Sequence, residues 1–327
     1  MKFVDVNRDT SGFQQPLSEQ QISALYEHAF GQCFSPDDCH LLISGRFNTS
    51  YKITHRGRAP VVLRAAPSAQ AVIFKHEHYL LRRESTVQQM MNTASDKTPR
   101  NLFVDFSRLH IDRDYVFQNY LPGELWDDIK SDLSDEENER LWFQLGAIVR
   151  KIHSIPGAYF GPPAPMQQFD CWSDAMIAWI SWMLADMQDF HLPCKDAADF
   201  LQIVKNGRRH LDKVTRPKLV HGDLWQKNIL IGRDNCAVEI TAVLDAERAF
   251  WGDPEAEWIF SFLDIPDAFW QSYGHLRVDK SALFRRLIYE GRGAIQLCLE
   301  AWRFRFDDSS FRQTLHRVID MLGTFDA

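Results

Sequence analysis

Apolar residues along the first third of the chain change their period twice. Over residues 17–30, Ile22, Leu25, Tyr26 and Ala29 recur at helical spacing, and Ser18 with Gln21 forms a capping box ahead of them. Residues 40–66 switch to a strand, turn, strand, turn, strand reading, punctuated by Gly45 and then Arg56-Gly57. A helix follows over 72–93, and two strand-like runs cover 101–106 and 114–120. The pattern predicts an antiparallel sheet carrying one long helix.

Past Leu121-Pro122-Gly123 the helical period dominates. Ser134 and Glu137 cap a helix whose apolar face is Leu141, Leu145, Ile148, Val149 and Ile152. Further helical stretches are expected over 173–190, 196–212, 253–263, 279–304 and 309–322. Residues 218–245 turn extended again, with a hairpin across Gly232–Asn235. The expected fold is α+β in two lobes: residues 1–120, small and sheet-rich, and residues 121–327, larger and mainly helical.

Composition sharpens this division. The 327 residues carry a net charge of −7, which argues against generic nucleic-acid binding through a basic surface. Residues 1–120 hold 14 Lys+Arg against 12 Asp+Glu, whereas residues 121–327 are at −9 and contain all 10 tryptophans. Six cysteines lie scattered with no C-x-x-C pair; Cys33, Cys39 and His40 form the one candidate metal group and lack a second half. The N-terminus has no apolar leader, and no run reaches the ~18 apolar residues of a membrane span. A cytoplasmic protein with neither membrane nor nucleic-acid partner is expected; oligomeric state is not legible.

The densest polar run is His221-Gly222-Asp223-Leu224-Trp225-Gln226-Lys227-Asn228, set between two apolar strands, with Asp245 closing the following hairpin. Such side chains at strand ends are costly to bury without partners and therefore face a cleft. Asn228 and Asp245 can offer oxygen ligands to Mg²⁺, a hard cation suited to one Asp, one Asn and phosphates, with Asp223 beside them aimed at a nucleophile. A turn in which Asp and Asn only cap backbone groups is the plainer alternative.

The H-x-D-x-x-x-x-N pattern with a strand-end Asp resembles the catalytic loop and metal Asp of the protein-kinase-like fold. The wording LVHGDLWQKNILI followed by ITAVLDAERAFWGDPEAEW is similar to the aminoglycoside phosphotransferase family, which also takes in choline and fructosamine kinases. The resemblance runs over about 40–305 and is densest at 219–258. It implies ATP and Mg²⁺ as cofactors, Asp223 as the catalytic Asp, and Asn228 and Asp245 as metal ligands. It also implies that Arg64, standing where kinases carry Lys, is steadied by Glu84 and clamps ATP phosphates. The turn Ser44–Ser50, including Asn48, Thr49 and Ser50, would cover the phosphates, and the backbone of Gln118, Asn119 and Tyr120 would meet the adenine. His221 and Trp225 would shape the loop, and Asp253, an N-cap before Pro254, would buttress it. Ala246 departs from the aromatic residue usual after the metal Asp.

The implied activity is transfer of a phosphoryl group from ATP to a hydroxyl of a small molecule such as an aminoglycoside-like antibiotic, sugar or amino alcohol. The acceptor would lie against the helical lobe, with Asp174, Glu247, Glu255 and Trp258 as candidates beside Trp172, Trp179, Trp182, Asp186 and Asp264. Acidic groups with aromatic walls suit a cationic amine or sugar, while a Trp stripe at helical spacing equally suits core. A protein kinase is disfavoured by the missing D-F-G and A-P-E segments. Two alternatives stay open: a silent kinase-like module that binds nucleotide without turnover, and a metal hydrolase using His221, Asp223 and Asp245.

Overall fold

The computed structural model describes residues 3–4, 13–32, 38–42, 45, 47–234 and 237–325. Six strands build the first sheet: β1 (Phe3–Val4), β2 (Asp38–Leu42), β3 (Thr49–Thr54), β4 (Val61–Ala65), β5 (Asn101–Asp105) and β6 (Tyr115–Asn119), in the order β1-β2-β3-β4-β6-β5. Every pairing is antiparallel except β1 with β2. Strand alternation sorts the side chains. Tyr51, Ile53, Leu63 and Phe117 pack with Ile22, Leu25 and Tyr26 of helix α1 (Glu19–Phe30), leaving Ser50, Val62 and Arg64 for the opposite face. The Ser18–Gln21 capping box is present.

The long helix of this part, α2 (Leu80–Ala94), starts later than its pattern suggests. Tyr79 adopts a left-handed conformation (φ 63°), and residues 75–77 make a separate 3₁₀ turn. The reason is tertiary. Phe74 is buried in the core of the helical part, against Phe190 and Trp302, and Lys75 bonds Asp186 there.

The second part holds helices α3 (Trp126–Ile129), α4 (Asp135–Ile152), α5 (Trp172–Asp189), α6 (Lys195–Asn206), α7 (Arg208–Leu211), α8 (Ile259–Phe262), α9 (Asp267–Tyr273), α10 (Lys280–Phe304) and α11 (Ser309–Gly323). Its strands are β7 (Glu124–Leu125), β8 (Lys218–Val220), β9 (Ile229–Asp234), β10 (Ala237–Val243) and β11 (Phe250–Gly252). They form a three-stranded sheet β10-β9-β7 and a pair β11-β8. The stretch expected as a helix over 196–212 breaks at Gly207, where the Phe284 ring leaves no room for a side chain. The one over 253–263 resolves into a 3₁₀ turn at Pro254–Ala256 and the short α8. Helix α9, not expected, is too short for its period to stand out; it is held by Phe269 packing on α4.

The β9–β10 hairpin forms, but Asn235 at its tip lies outside the described residues, as do Ser44, Arg46, Cys33 and Cys236. Among the described residues, Cys171, Cys194 and Cys298 are free thiols. Among the described residues no helix is long and apolar enough to cross a membrane.

Candidate active site

Strand β8 delivers the chain into the polar loop 221–228, and a carboxylate outside that loop sets its shape. Glu257 accepts hydrogen bonds from the backbone N–H groups of His221 and Gly222, at 2.8 Å each, and lies 3.2 Å from His153 Nε2. Burial works against its charge, but His153 and the loop donors outweigh it and hold the carboxyl below its usual range. His153 is thereby structural, bonding Tyr273 through its other nitrogen. Sequence reasoning missed Glu257: in the run Asp253-Pro254-Glu255-Ala256-Glu257 nothing local tells which acid reaches the loop. Gly222 has φ 79°, and a Cβ there would stand 2.4 Å from the Arg248 carbonyl oxygen, so the loop is pressed against residue 248. His221 is fully buried, and burial lowers its pKa and keeps the ring neutral. Trp225 flanks the loop with the Lys227 ammonium 5.0 Å over its ring.

Asp223, Asn228 and Asp245 converge as expected from the motif. The Asn228 amide donates to the Asp223 carbonyl (2.8 Å) and carboxylate (3.0 Å), while Leu244 N–H donates to the Asn228 carbonyl (2.8 Å), which brings Asp245 alongside. Asp245 has a left-handed backbone (φ 67°), an arrangement that costs on the order of 1–3 kcal/mol and clusters at functional sites. Burial raises the Asp223 pKa well above the ordinary aspartate value; Arg248 opposes this, and the charges of Asp245 and Glu300 add to it.

Across the cleft, Arg64 on β4 joins the two parts. Its guanidinium donates to Glu84 on α2 and to Asp245, both at 2.6 Å, and lies 3.6 Å from Glu247. Burial disfavours the Arg64 charge, but Glu84, Asp245 and Glu247 together push its pKa above the usual arginine value. For Glu84 burial wins over Arg64, and its carboxyl rises to about 7. Behind them a buried amide chain fixes the geometry: Gln118 donates to Gln88 (3.1 Å), and Gln88 to Glu84 (3.0 Å). Glu84, Asp245 and Glu247 each bring an oxygen within 4.8 Å of the others, so one guanidinium meets three carboxylates. That donor set, with Asn228 lining the same cavity as Asp245, fits a small hard divalent cation.

A cavity of about 290 Å³ separates the first sheet from β9 and the 244–245 segment. Val62, Leu121, Leu230 and Leu244 supply apolar walls, and Arg64, Asn228 and Asp245 mark its polar end. Asn48, Ser50, Gln118, Asn119 and Tyr120 also line it. Thr49 does not: the pleat turns its hydroxyl to the Gln15 carbonyl, 3.3 Å away. Along this stretch the backbone N–H groups of Asn119 and Tyr120 are paired with the Arg100 (3.1 Å) and Pro60 (3.2 Å) carbonyls, and the Gln118 side-chain amide donates to Gln88 and Asn101.

The acidic residues expected at the acceptor are engaged elsewhere. Glu247 belongs to the carboxylate cluster, accepting from Asn48 Nδ2 at 2.5 Å. Glu255 binds Arg277 (2.8 Å) and Arg286 (3.3 Å). Asp174 is half-exposed and held by Arg208 and Cys171. Trp258 stacks on Phe262, with ring centroids 4.2 Å apart, while Trp172 and Trp179 are core. Asp253 is fully buried, binds Arg277 (3.0 Å), Arg285 (2.8 Å) and the Tyr289 hydroxyl (2.8 Å) and caps the 254–256 turn, so its partners lie on α10 and the 277 segment rather than on the 221–228 loop.

The same architecture occurs in solved structures. A protein assigned as a fructosamine-3-kinase from Haemophilus somnus 129PT superposes with a TM-score of 0.65 at 17% identity, over 93% of this chain and 97% of its own. One assigned as an aminoglycoside phosphotransferase from Ralstonia eutropha JMP134 gives 0.61 at 14% identity, over 94% and 97%. A thermostable mutant of aminoglycoside phosphotransferase APH(4)-Ia, in a ternary complex with AMP-PNP and hygromycin B, gives 0.60 at 19% identity, over 93% and 99%. At these identities the likeness shows the fold. No curated protein matches the chain by sequence. The family model APH, phosphotransferase enzyme family, matches residues 38–286, more than half of the chain, with Arg64, Glu84, Asp223, Asn228, Asp245 and Glu257 inside the match; the chain belongs to that family of small-molecule kinases.

Proposed function

We propose that this phosphotransferase transfers the terminal phosphoryl group of ATP, with Mg²⁺, to a hydroxyl of a small molecule. One observation carries the reading: Arg64, reaching from the sheet, meets Asp245 at 2.6 Å on the same side of the cleft where Asn228 holds Asp223. Structures of similar fold hold AMP-PNP, ADP or GDP, which supports a nucleotide in the interlobe cavity and makes GTP the donor to test beside ATP. Residues 1–120 form the nucleotide lobe in this reading, and residues 121–327 carry catalysis and the acceptor. The free thiols suit a reducing cytoplasm.

Phosphoryl transfer needs positioning and charge neutralisation more than covalent chemistry. Arg64, steadied by Glu84, holds the phosphates that stay on the nucleotide. Asp245 and Asn228 would hold Mg²⁺, with Glu84 and Glu247 within reach; the ion supplies charge neutralisation. Asp223 receives the acceptor hydroxyl proton as the oxygen bonds to phosphorus and the bond to the departing ADP breaks. Glu257 keeps the loop that carries Asp223 in register.

Asp223→Asn tests the assignment. Loss of proton acceptance is worth about 10² to 10⁴ in kcat, with the Kd for MgATP nearly unchanged. A variant with wild-type kcat overturns the role of Asp223. Nucleotide binding by the wild type without ADP formation on any acceptor would instead favour the silent module.

A further inference from the structure

Beside Asp223, on the side away from Arg64, lies a second polar cluster that the proposed chemistry leaves unexplained. Its floor is a stripe on α10: Arg292, Gln296, Glu300 and Arg303, at spacings that place them on one helix face. Arg248 lies between this stripe and Asp223. Its guanidinium bonds Glu300 at 2.9 Å and stands 3.6 Å from Glu77, and its backbone packs on Gly222. Arg303 also pairs with Glu77 and sits 3.8 Å over the Phe74 ring. Arg83, next to Glu84 but pointing to this side, donates among the described residues only to the His76 carbonyl, at 2.9 Å.

Charge in this cluster does not close. Arg83, Arg248, Arg292 and Arg303 face Glu77 and Glu300; Asp223 and Glu247 approach from the catalytic side, where their carboxylates are already assigned. Arg292 is 4% exposed and forms no hydrogen bond or ion pair with the described residues; it rests on the Trp179 and Phe250 rings, 4.7 and 5.7 Å from their centroids. Buried polar atoms here go unanswered: the Nε–H donors of Arg83, Arg292 and Arg303, and both ring nitrogens of His76, one a donor and one an acceptor in the neutral ring. Burial, and after it the charge of Arg248, lowers the pKa of Arg83 to about 9 and of Arg292 to about 10. Native interiors rarely leave buried charges and donors without partners, and a bound anion answers both shortages together.

We infer that the Arg83–Arg248–Arg292–Arg303 cluster binds an anionic group, carboxylate or phosphate, of the hydroxyl acceptor. The inference rests on the kinase reading and names the substrate class for it. It reverses the expectation drawn from the acidity of residues 121–327: Asp253, Glu255 and Asp174 are already paired, whereas the strongest charge acting on Asp223 from this side is the Arg248 guanidinium. An acceptor carrying both a hydroxyl and an anionic group would dock the anion on Arg292 and present the hydroxyl to Asp223. Fork-shaped guanidiniums suit such bidentate recognition of carboxylate or phosphate.

The nucleotide's own terminal phosphate is the other source of the same chemistry, and one titration separates the two. The folded wild type is titrated with inorganic phosphate and with tartrate, a hydroxylated dicarboxylate, alone, with MgADP and with MgAMP-PNP, following thermal stabilisation and calorimetric Kd. Saturable binding in all three states, weakened at least tenfold in Arg292→Gln with the Kd for MgADP held within twofold, is the expected result. Arg83→Gln is the independent second variant should Arg292→Gln fail to fold. Anion binding displaced by AMP-PNP but not ADP would assign the cluster to the nucleotide and overturn the inference. No saturable binding, or binding indifferent to a folded variant, also overturns it. Failure of the kinase reading looks different: MgADP would then not stabilise the wild type at all, while the nucleotide-free anion titration still decides the cluster.

Discussion

Two arginine–carboxylate clusters flank the reacting centre and are built with opposite balance. On the sheet side, Arg64 is answered by Glu84, Asp245 and Glu247, an excess of negative charge in a partly open cleft. On the α10 side, four arginines meet Glu77 and Glu300, and the excess is positive. Burial penalises both arrangements, since an unbalanced charge taken from water costs several kcal/mol unless a partner supplies the missing sign. In the proposed reading the contrast assigns a divalent cation with phosphates to one side and an anion to the other. Asp223 sits between them, raised by burial and pulled in opposite directions by Asp245 and Arg248.

After the loss expected in Asp223→Asn, the sharpest way to break this comparison is Arg64→Met. Removing charge-assisted hydrogen bonds worth about 1.5–3 kcal/mol should raise the KM for MgATP roughly 10- to 100-fold while leaving anion binding on the α10 side intact. A KM within twofold of wild type would deny Arg64 its place on the phosphates.

Arg248→Gln tests the link between the clusters through the pH profile. Asp223 accepts a proton only when ionised, and the nearby charge of Arg248 favours that ionised form more than any other group does. Without that cation the ionised fraction falls at any given pH, so the acid limb of log kcat/KM should move to higher pH, by about one unit for a nearby charge. A limb that stays in place, or moves to lower pH, would separate Arg248 from Asp223.

The smallest effect is expected at Asp174→Asn. Its half-exposed pair with Arg208 contributes at most ~1 kcal/mol to stability, and acceptor KM should stay within about twofold. A large rise in KM would restore an acidic, cation-seeking acceptor site and blur the distinction between the two sides.

Much of the site was legible because its residues are close in sequence or sit on regular elements. Asp223 and Asn228 share one loop, Asp245 ends the adjoining hairpin, and the strand period assigns Arg64 to the face opposite Leu63. Glu247 was misplaced because the 246–248 turn swings successive side chains apart, Glu247 toward Asn48 and Arg248 toward Glu300. Glu257 was invisible because its partners are backbone groups more than thirty residues away. Thr49 was over-read: a turn motif names small hydroxyls together, and the pleat then separates them.

The sequence by itself determined the α+β layout, the polar loop 221–228 and the place of Asp245 at the end of the adjoining hairpin, since hydrophobic period and local spacing are properties of neighbouring residues. Which charges remain unanswered was decided only by the tertiary structure. Arg83, Arg248, Arg292 and Arg303 come from three separate stretches and read singly as ordinary helix or loop residues. Only when the 74–77 segment plugs into the helical core beside α10 do they share one buried space, and electrostatic balance belongs to that space rather than to any stretch of chain.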